Sequence, residues 1–205
     1  SEVLEIDFGG RLGLSATPQR YGDVEGTKKI MDFFGGIVHR FSLKDAITAG
    51  RLCQYNYFGH PVPLSDTEMD LWQELTVKIN RAFARGSRGN QKPIISKSTE
   101  ILIFQRSRVI KNAEAKIPLA GNILEQNYRP GDRWLVYCED REQLQRAVKE
   151  IRSRGLSCDQ YYSYMESDRS ATLDKFVRFG GILVAIRCLD EGVDIPEISH
   201  AIILA

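Results

Sequence analysis

From Pro130 onward, short apolar runs alternate with stretches whose apolar residues recur every three or four positions. Trp134–Cys138 reads as a strand, and Leu144, Ala147, Val148 and Ile151 mark the buried face of a following helix. Asp140 and Gln143 have capping-box spacing at its start, and Gly155 stands where a helix stop is expected. A strand near Leu156–Tyr162, a helix from Ser167 through Arg178, and strands Ile182–Ile186 and Ala201–Leu204 follow. The unbroken apolar run Ile182-Leu183-Val184-Ala185-Ile186 predicts a strand covered on both faces. Strand alternating with helix predicts an α/β fold built on a parallel sheet.

Upstream the period changes. Trp72, Leu75, Ile79, Ala82 and Phe83 line one face of an amphipathic helix that Ser65 or Asp66 can cap. The pattern collapses into a loop around Gly86–Pro93 and resumes as a second helix near Glu100–Ala113, which carries Arg106, Arg108 and Lys111. Nearer the amino terminus, a strand Leu12–Ala16, a helix near Gly26–Phe34 and an aromatic strand Tyr55–Phe58 are expected, the last ended by Pro61 and Pro63.

Composition narrows the class without naming a function. The 205 residues are 42% hydrophobic and 27% charged, with a formal net charge of +1, so overall charge does not announce a nucleic-acid binder. Cys53, Cys138, Cys158 and Cys188 form no C-x-x-C pair, which argues against zinc, and the two that fall in expected strands read as buried reduced thiols, which points to an intracellular compartment, cytoplasmic, or nuclear if the source is eukaryotic. No signal peptide and no run long enough to span a bilayer is present. His39, His60 and His200 stand apart from one another and from acidic partners, and none is assigned to catalysis or metal.

Local patterns carry more chemistry. After Ile186 the chain turns through Arg187 and Cys188 into Asp190-Glu191-Gly192-Val193-Asp194, closed by Pro196. Ligands of open α/β sheets bind beyond the carboxyl ends of strands, so carboxylates here would face a ligand; an ordinary solvated connection has the same spacing. Lys78, Arg81 and Arg85 share one helix face opposite Trp72, Ile79 and Phe83, and no acidic residue stands between Glu74 and Glu100. Such a stripe is either a solvated face or a contact for phosphates, and Gly86 and Gly89 separate Arg88 from it. Tyr128 and the cluster Tyr161, Tyr162 and Tyr164 could stack on bases, although alternation sends one or two of them into the core.

Two segments together resemble a known family. Arg11-Leu12-Gly13-Leu14-Ser15-Ala16-Thr17-Pro18 is similar to motif III, and Ile182–Pro196 to motif V, of superfamily 2 helicases and nucleic-acid translocases. Arg133–Asp140 resembles motif IV, and Tyr162–Arg169 with Leu173 and Phe176 resembles motif IVa. The paired helices resemble the insertion of the branch shared by restriction-enzyme motors and duplex-DNA translocases. The resemblance implies a RecA-like parallel sheet with flanking helices, a helical insertion and the tail of a first RecA-like domain. Its boundaries fall at 1–50 for that tail, 51–63 for a crossover strand, 64–127 for the insertion and 128–205 for the second RecA-like domain.

It also implies roles. Ser15, Ala16 and Thr17 would couple the nucleotide site to the nucleic-acid groove; Gly192 and Asp194 would face ATP. Ser163, Arg169 and Arg187 would touch the nucleic-acid backbone, and the stripe Lys78, Arg81 and Arg85, read from helical spacing alone, would add to that contact. Ile186 replaces a threonine that in many relatives bonds a phosphate, leaving backbone N–H groups or Arg187 for that contact. No Gly-Lys-Ser/Thr loop, Asp-Glu box or arginine-rich motif VI occurs, so the chain reads as part of a larger motor. ATP and Mg2+ are then cofactors of the intact protein, none bound by this part alone, and its partners are duplex DNA and a missing amino-terminal RecA-like domain, with no membrane. No catalytic or metal-ligating residue is assigned within it, and it should turn over no ATP by itself. The alternative is a non-catalytic RecA-like module that binds nucleic acid or protein. A doubly wound small-molecule enzyme is disfavoured because no G-x-G-x-x-G follows a strand.

Overall fold

The structure, a computed structural model, describes residues 9–20, 23–86, 96–163, 165, 168–186 and 198–204. They fall into two compact units, Ser1–Gly59 and His60–Ala205.

In the first unit, helix α1 (Val24–Phe34) begins where the Asp23 carboxylate accepts the Gly26 N–H and ends at Gly35, left-handed at φ 73°. Helix α2 (Leu43–Thr48) starts with a reciprocal capping box: Ser42 Oγ accepts the Asp45 N–H, and the Asp45 carboxylate accepts the Ser42 N–H. That Ser-x-x-Asp spacing was legible, yet no helix is expected there from the apolar period alone. Two expected strands are absent. Leu12–Ala16 forms no ladder and leaves Leu12 79% and Leu14 89% exposed. Tyr55–Phe58, expected as a crossover strand within 51–63, is likewise unpaired, with Tyr55, Tyr57 and Phe58 exposed. A strand exists only through its neighbour's hydrogen bonds, and no described residue offers either segment a partner.

The second unit begins with an antiparallel-helix hairpin, α3 (Asp66–Gly86) and α4 (Lys97–Lys111), followed by α5 (Lys116–Asn127). Leu75 and Ile79 are buried where α3 meets α4. Ser65 and Glu68 cap α3 reciprocally, as Ser65 N–H donates to Glu68 Oε2 at 2.8 Å and Glu68 N–H to Ser65 Oγ at 3.4 Å. Ser96 caps α4, so this helix starts earlier than its apolar pattern suggests.

Strands β1 (Arg133–Cys138), β2 (Asp159–Tyr161), β3 (Gly181–Ile186) and β4 (His200–Ile203) form one parallel sheet in the order β2-β3-β1-β4. Helix α6 (Arg141–Ser153) links β1 to β2, and α7 (Arg169–Phe179) links β2 to β3. Trp134, Val136, Cys138, Ile182 and Val184 face α5 and α6, meeting Ile117, Ala120, Leu124, Leu144, Ala147, Val148 and Ile151. Leu183, Ala185 and Tyr161 face the other way, against Phe176 of α7. Helices on both faces explain why β3 is apolar throughout: Ile182, Leu183, Val184 and Ala185 are all buried. The expected α/β parallel sheet with flanking helices is the observed fold. Its packing draws α5 into the layer over the sheet.

Candidate functional site

The carboxyl ends of the parallel strands gather the polar groups. β1 runs into Glu139 and Asp140, β2 into Tyr162 and Ser163, and β4 into Leu204. Asp140 caps α6, its Oδ1 accepting the Gln143 N–H at 3.0 Å. The buried Gln143 side chain closes the turn, accepting the Glu139 N–H at 2.8 Å and donating to the Lys111 carbonyl at 2.8 Å. Lys111 Nζ reaches both Glu139 carboxylate oxygens at 3.0 and 2.9 Å. Arg108 Nη2 and Asn112 Nδ2 donate to Asp140 Oδ2 at 2.7 and 3.0 Å. Lys116 Nζ donates to the carbonyls of Lys111 and of Leu204, at 3.1 and 2.6 Å, across the end of β4. Burial, with Lys111 nearby, lowers the Lys116 ammonium's pKa.

Two carboxyl groups on this edge titrate below their ordinary range. Burial raises the Asp140 pKa, but the Gln143 N–H, Arg108 and Asn112 outweigh it and the net shift is downward. Glu68 behaves alike: burial raises its pKa, while the N–H groups of Ser65 and Glu114 hold the carboxylate and lower it overall. A depressed folded-state pKa means that the stabilisation is complete above the ordinary values, 3.8 for Asp140 and 4.5 for Glu68, and is lost as pH falls through the lower folded-state values. Urea unfolding at pH 6 and pH 3 is expected to show lower stability in acid, and Asp140→Asn should reduce that pH dependence. A stability independent of pH across this window would contradict the arrangement.

Arginine–aromatic pairs flank the next turn. Arg169, at the start of α7, lies with its Cζ 5.3 Å from the Tyr161 ring centroid and donates from Nη2 to the Tyr161 hydroxyl at 3.3 Å. Arg141, at the start of α6, lies 5.3 Å from the Tyr162 ring centroid. Each such pair contributes about 0.5–1 kcal/mol at an exposed position and limits where the guanidinium can go. Ser163 is exposed beside them. The sheet thus brings Ser163, Arg169 and Arg141 to one edge. Arg141 is absent from the sequence expectations because its only signal is proximity to Tyr162, which sequence spacing does not encode. Tyr161 is core, and Tyr128 packs against the core at its edge.

Other expected site residues stand elsewhere. Lys78 and Arg81 are exposed on α3, and Lys78 pairs with Glu74 one turn earlier at 2.5 Å, both largely solvated. Exposed i,i+4 pairs are weak and exchange readily, so Lys78 stays available to another anion. Arg85 falls on α3, its side chain outside the described residues. Ser15, Ala16 and Thr17 are exposed in the first unit, where Ser15 Oγ accepts the Thr17 N–H at 3.1 Å. Arg187, Gly192 and Asp194, like Tyr164, lie outside the described residues. Cys138 and Cys158 are buried reduced thiols, and burial, with the Asp140 charge, pushes Cys138 up to about 12. Among the described residues no group of His, Cys, Asp and Glu could hold a metal ion, and no helix is long and apolar enough to cross a membrane.

Comparison with known proteins adds a family. Residues 115–205 match the family described as the helicase conserved C-terminal domain. A solved structure, the Pyrococcus furiosus Hef helicase domain, is similar at 18% identity with a TM-score of 0.38, over 67% of this chain and 30% of that one. No curated protein matches. The family match begins at the residue before α5, which is also where the packing over the sheet begins. Residues 115–205, less than half of the chain, are thus similar to the helicase conserved C-terminal domain family.

Proposed function

We propose that this chain is part of an ATP-dependent helicase or translocase that moves on duplex DNA, in the branch shared by restriction-enzyme motors. The observation that carries the reading is a match to the helicase C-terminal domain family in a unit whose sheet edge collects Ser163, Arg169 and Arg141 and whose helix α3 bears the exposed Lys78 and Arg81. Hydroxyl and guanidinium groups on a shared edge suit phosphate oxygens, which position nucleic acid without reading its sequence. Residues 1–50 would be the tail of a first RecA-like domain and 51–63 the connection out of it. In the intact protein ATP and Mg2+ would supply the free energy for movement. Gly192 would let backbone approach the nucleotide, and Asp194 would present a carboxylate to it. Ser15 and Thr17 carry small hydroxyls that exchange hydrogen-bond partners with little motion, which suits coupling. An intracellular compartment fits this work.

Nucleotide turnover tests the reading. In the intact protein, Asp194→Ala should lower DNA-stimulated ATPase kcat by about tenfold or more while DNA affinity changes little. Ser15→Ala with Thr17→Ala should keep much of the hydrolysis but lose strand movement. The 205 residues alone should show no turnover. An unchanged ATPase rate in folded Asp194→Ala protein removes that carboxylate from the site, and turnover by the purified 205 residues refutes the reading of a partial motor.

A further inference from the structure

Helices α3 and α4 are joined to the rest of their unit in an unusual way. Leu75 and Ile79 are buried where α3 meets α4 and belong to neither of the clusters that cover the two sheet faces, while Leu71, Val77, Ile101 and Phe104 stay exposed. Among the described residues, polar bonds attach the hairpin to the sheet at the hairpin's base. At the end of α4, Arg108 and Asn112 hold Asp140, Lys111 holds Glu139, and Gln143 holds the Lys111 carbonyl. At the start of α3, Glu68 Oε1 accepts the Glu114 N–H at 2.8 Å, just before α5. The Lys111–Glu139 pair is the more enclosed, with side chains 34% and 13% exposed. Partly buried, doubly hydrogen-bonded pairs fix geometry better than solvated ones.

Lys78, Arg81 and Arg85 lie ten to seventeen residues beyond Glu68 along α3. At a rise of 1.5 Å per residue they stand about 15 to 26 Å from the anchored base. We infer that α3 and α4 form a stiff arm, clasped to the carboxyl edge of the sheet by Arg108, Lys111 and Asn112 on Glu139 and Asp140, and that the clasp positions the cationic stripe relative to Ser163, Arg141 and Arg169. The residues of the clasp are positioning residues. They determine where the stripe stands, and the stripe meets the phosphates. The nucleic-acid part of this inference rests on the proposed function, whereas the stiffness of the arm does not.

The variant Glu139→Gln with Asp140→Asn separates the arm from simple charge effects. Both substitutions keep size, and asparagine still caps a helix. Two negative charges disappear, so electrostatics alone predicts tighter DNA binding. The arm predicts weaker binding, because a stripe that is positioned only part of the time loses affinity in proportion to that fraction.

Spin labels at Ala84→Cys and Lys149→Cys, with Cys53→Ser and Cys188→Ser, would report the distance from arm to sheet by electron-spin resonance. The parent should give one narrow distance distribution, and the clasp variant a distribution about twofold or more broader. On a short duplex its affinity should fall about three- to tenfold at fixed salt, with the log-affinity versus log-salt slope unchanged because no phosphate contact is removed. Exchanging the charges, Lys111→Glu with Glu139→Lys, should restore the narrow distribution, which a generally loosened sheet would not. Arg108→Gln, at a side chain 61% exposed, provides a milder variant if the double substitution fails to fold. An unchanged distance distribution, or tighter binding, overturns the inference. A parent chain that binds no duplex defeats the proposed function and leaves the distance measurement to decide the arm.

Discussion

Gly180→Ala is expected to cost about 3 to 5 kcal/mol of unfolding free energy, the sum of a backbone conformation closed to other residues and a collision with backbone. Gly180 ends α7 at φ 72° and ψ −162°, and a Cβ there would stand 2.7 Å from the carbonyl oxygens of both Gly131 and Asp132. Those carbonyls cannot swing aside as a flexible side chain would. The Asp132 carbonyl accepts the Gly181 N–H at 2.7 Å, the bond that sets β3 beside β1 from Arg133 and Gly181 onward. Arg133 adds to the corner by donating from Nε and Nη2 to the Val177 carbonyl at 3.0 and 2.6 Å. Moving the carbonyls apart would shift the start of the two central strands. Gly155 serves as the control: its φ is 75°, but its surroundings are open, so Gly155→Ala should cost only about 1 kcal/mol. Urea unfolding of both variants checks the contrast. Equal costs would mean that the crowding at Gly180 is not felt.

Lys78→Ala, Arg81→Ala and Arg85→Ala together are expected to weaken DNA binding by about two to three orders of magnitude near 0.1 M salt, through lost counterion release. Each phosphate contact contributes about 0.9 to the log-affinity versus log-salt slope on a duplex and about 0.7 on a single strand, so the slope should fall by roughly two to three. The effect should be the same for every sequence tested, since a helix face that meets phosphates reads no bases. Lys78 and Arg81 are exposed while Leu75 and Ile79 hold the opposite face, so the fold should survive. Salt titrations of parent and triple variant on one duplex and one single strand decide the matter. Identical slopes would make the stripe a solvated helix face, with Lys78 paired to Glu74 and nothing more.

The periodicity of the chain was enough for the sheet and most of its helices. Trp134–Cys138 and Ile182–Ile186 are strands because their apolar residues have covering layers on the expected faces, and Leu144, Ala147, Val148 and Ile151 are the buried stripe of α6. Caps were legible for a similar reason. Asp140 with Gln143 is a local arrangement that needs only a few consecutive residues. Leu12–Ala16 and Tyr55–Phe58 carried strand-like patterns without forming strands, since pairing belongs to two segments at once and a single segment's pattern is silent about its partner.

The site divides along the same line. Ser163, Arg169, Lys78 and Arg81 could be named from motif and spacing, and the structure places the first two on one sheet edge and the other two on the exposed face of α3. Arg141 could not be named this way, nor could the clasp of Arg108 and Lys111 on Asp140 and Glu139. Those partners are 32 and 28 residues apart in sequence. Short-range order follows from the sequence alone, because helical and strand periods and capping are set by neighbouring residues. Which cation meets which carboxylate, and which strand finds a partner, only the tertiary structure decided, because those energies depend on distances that arise after the chain has packed.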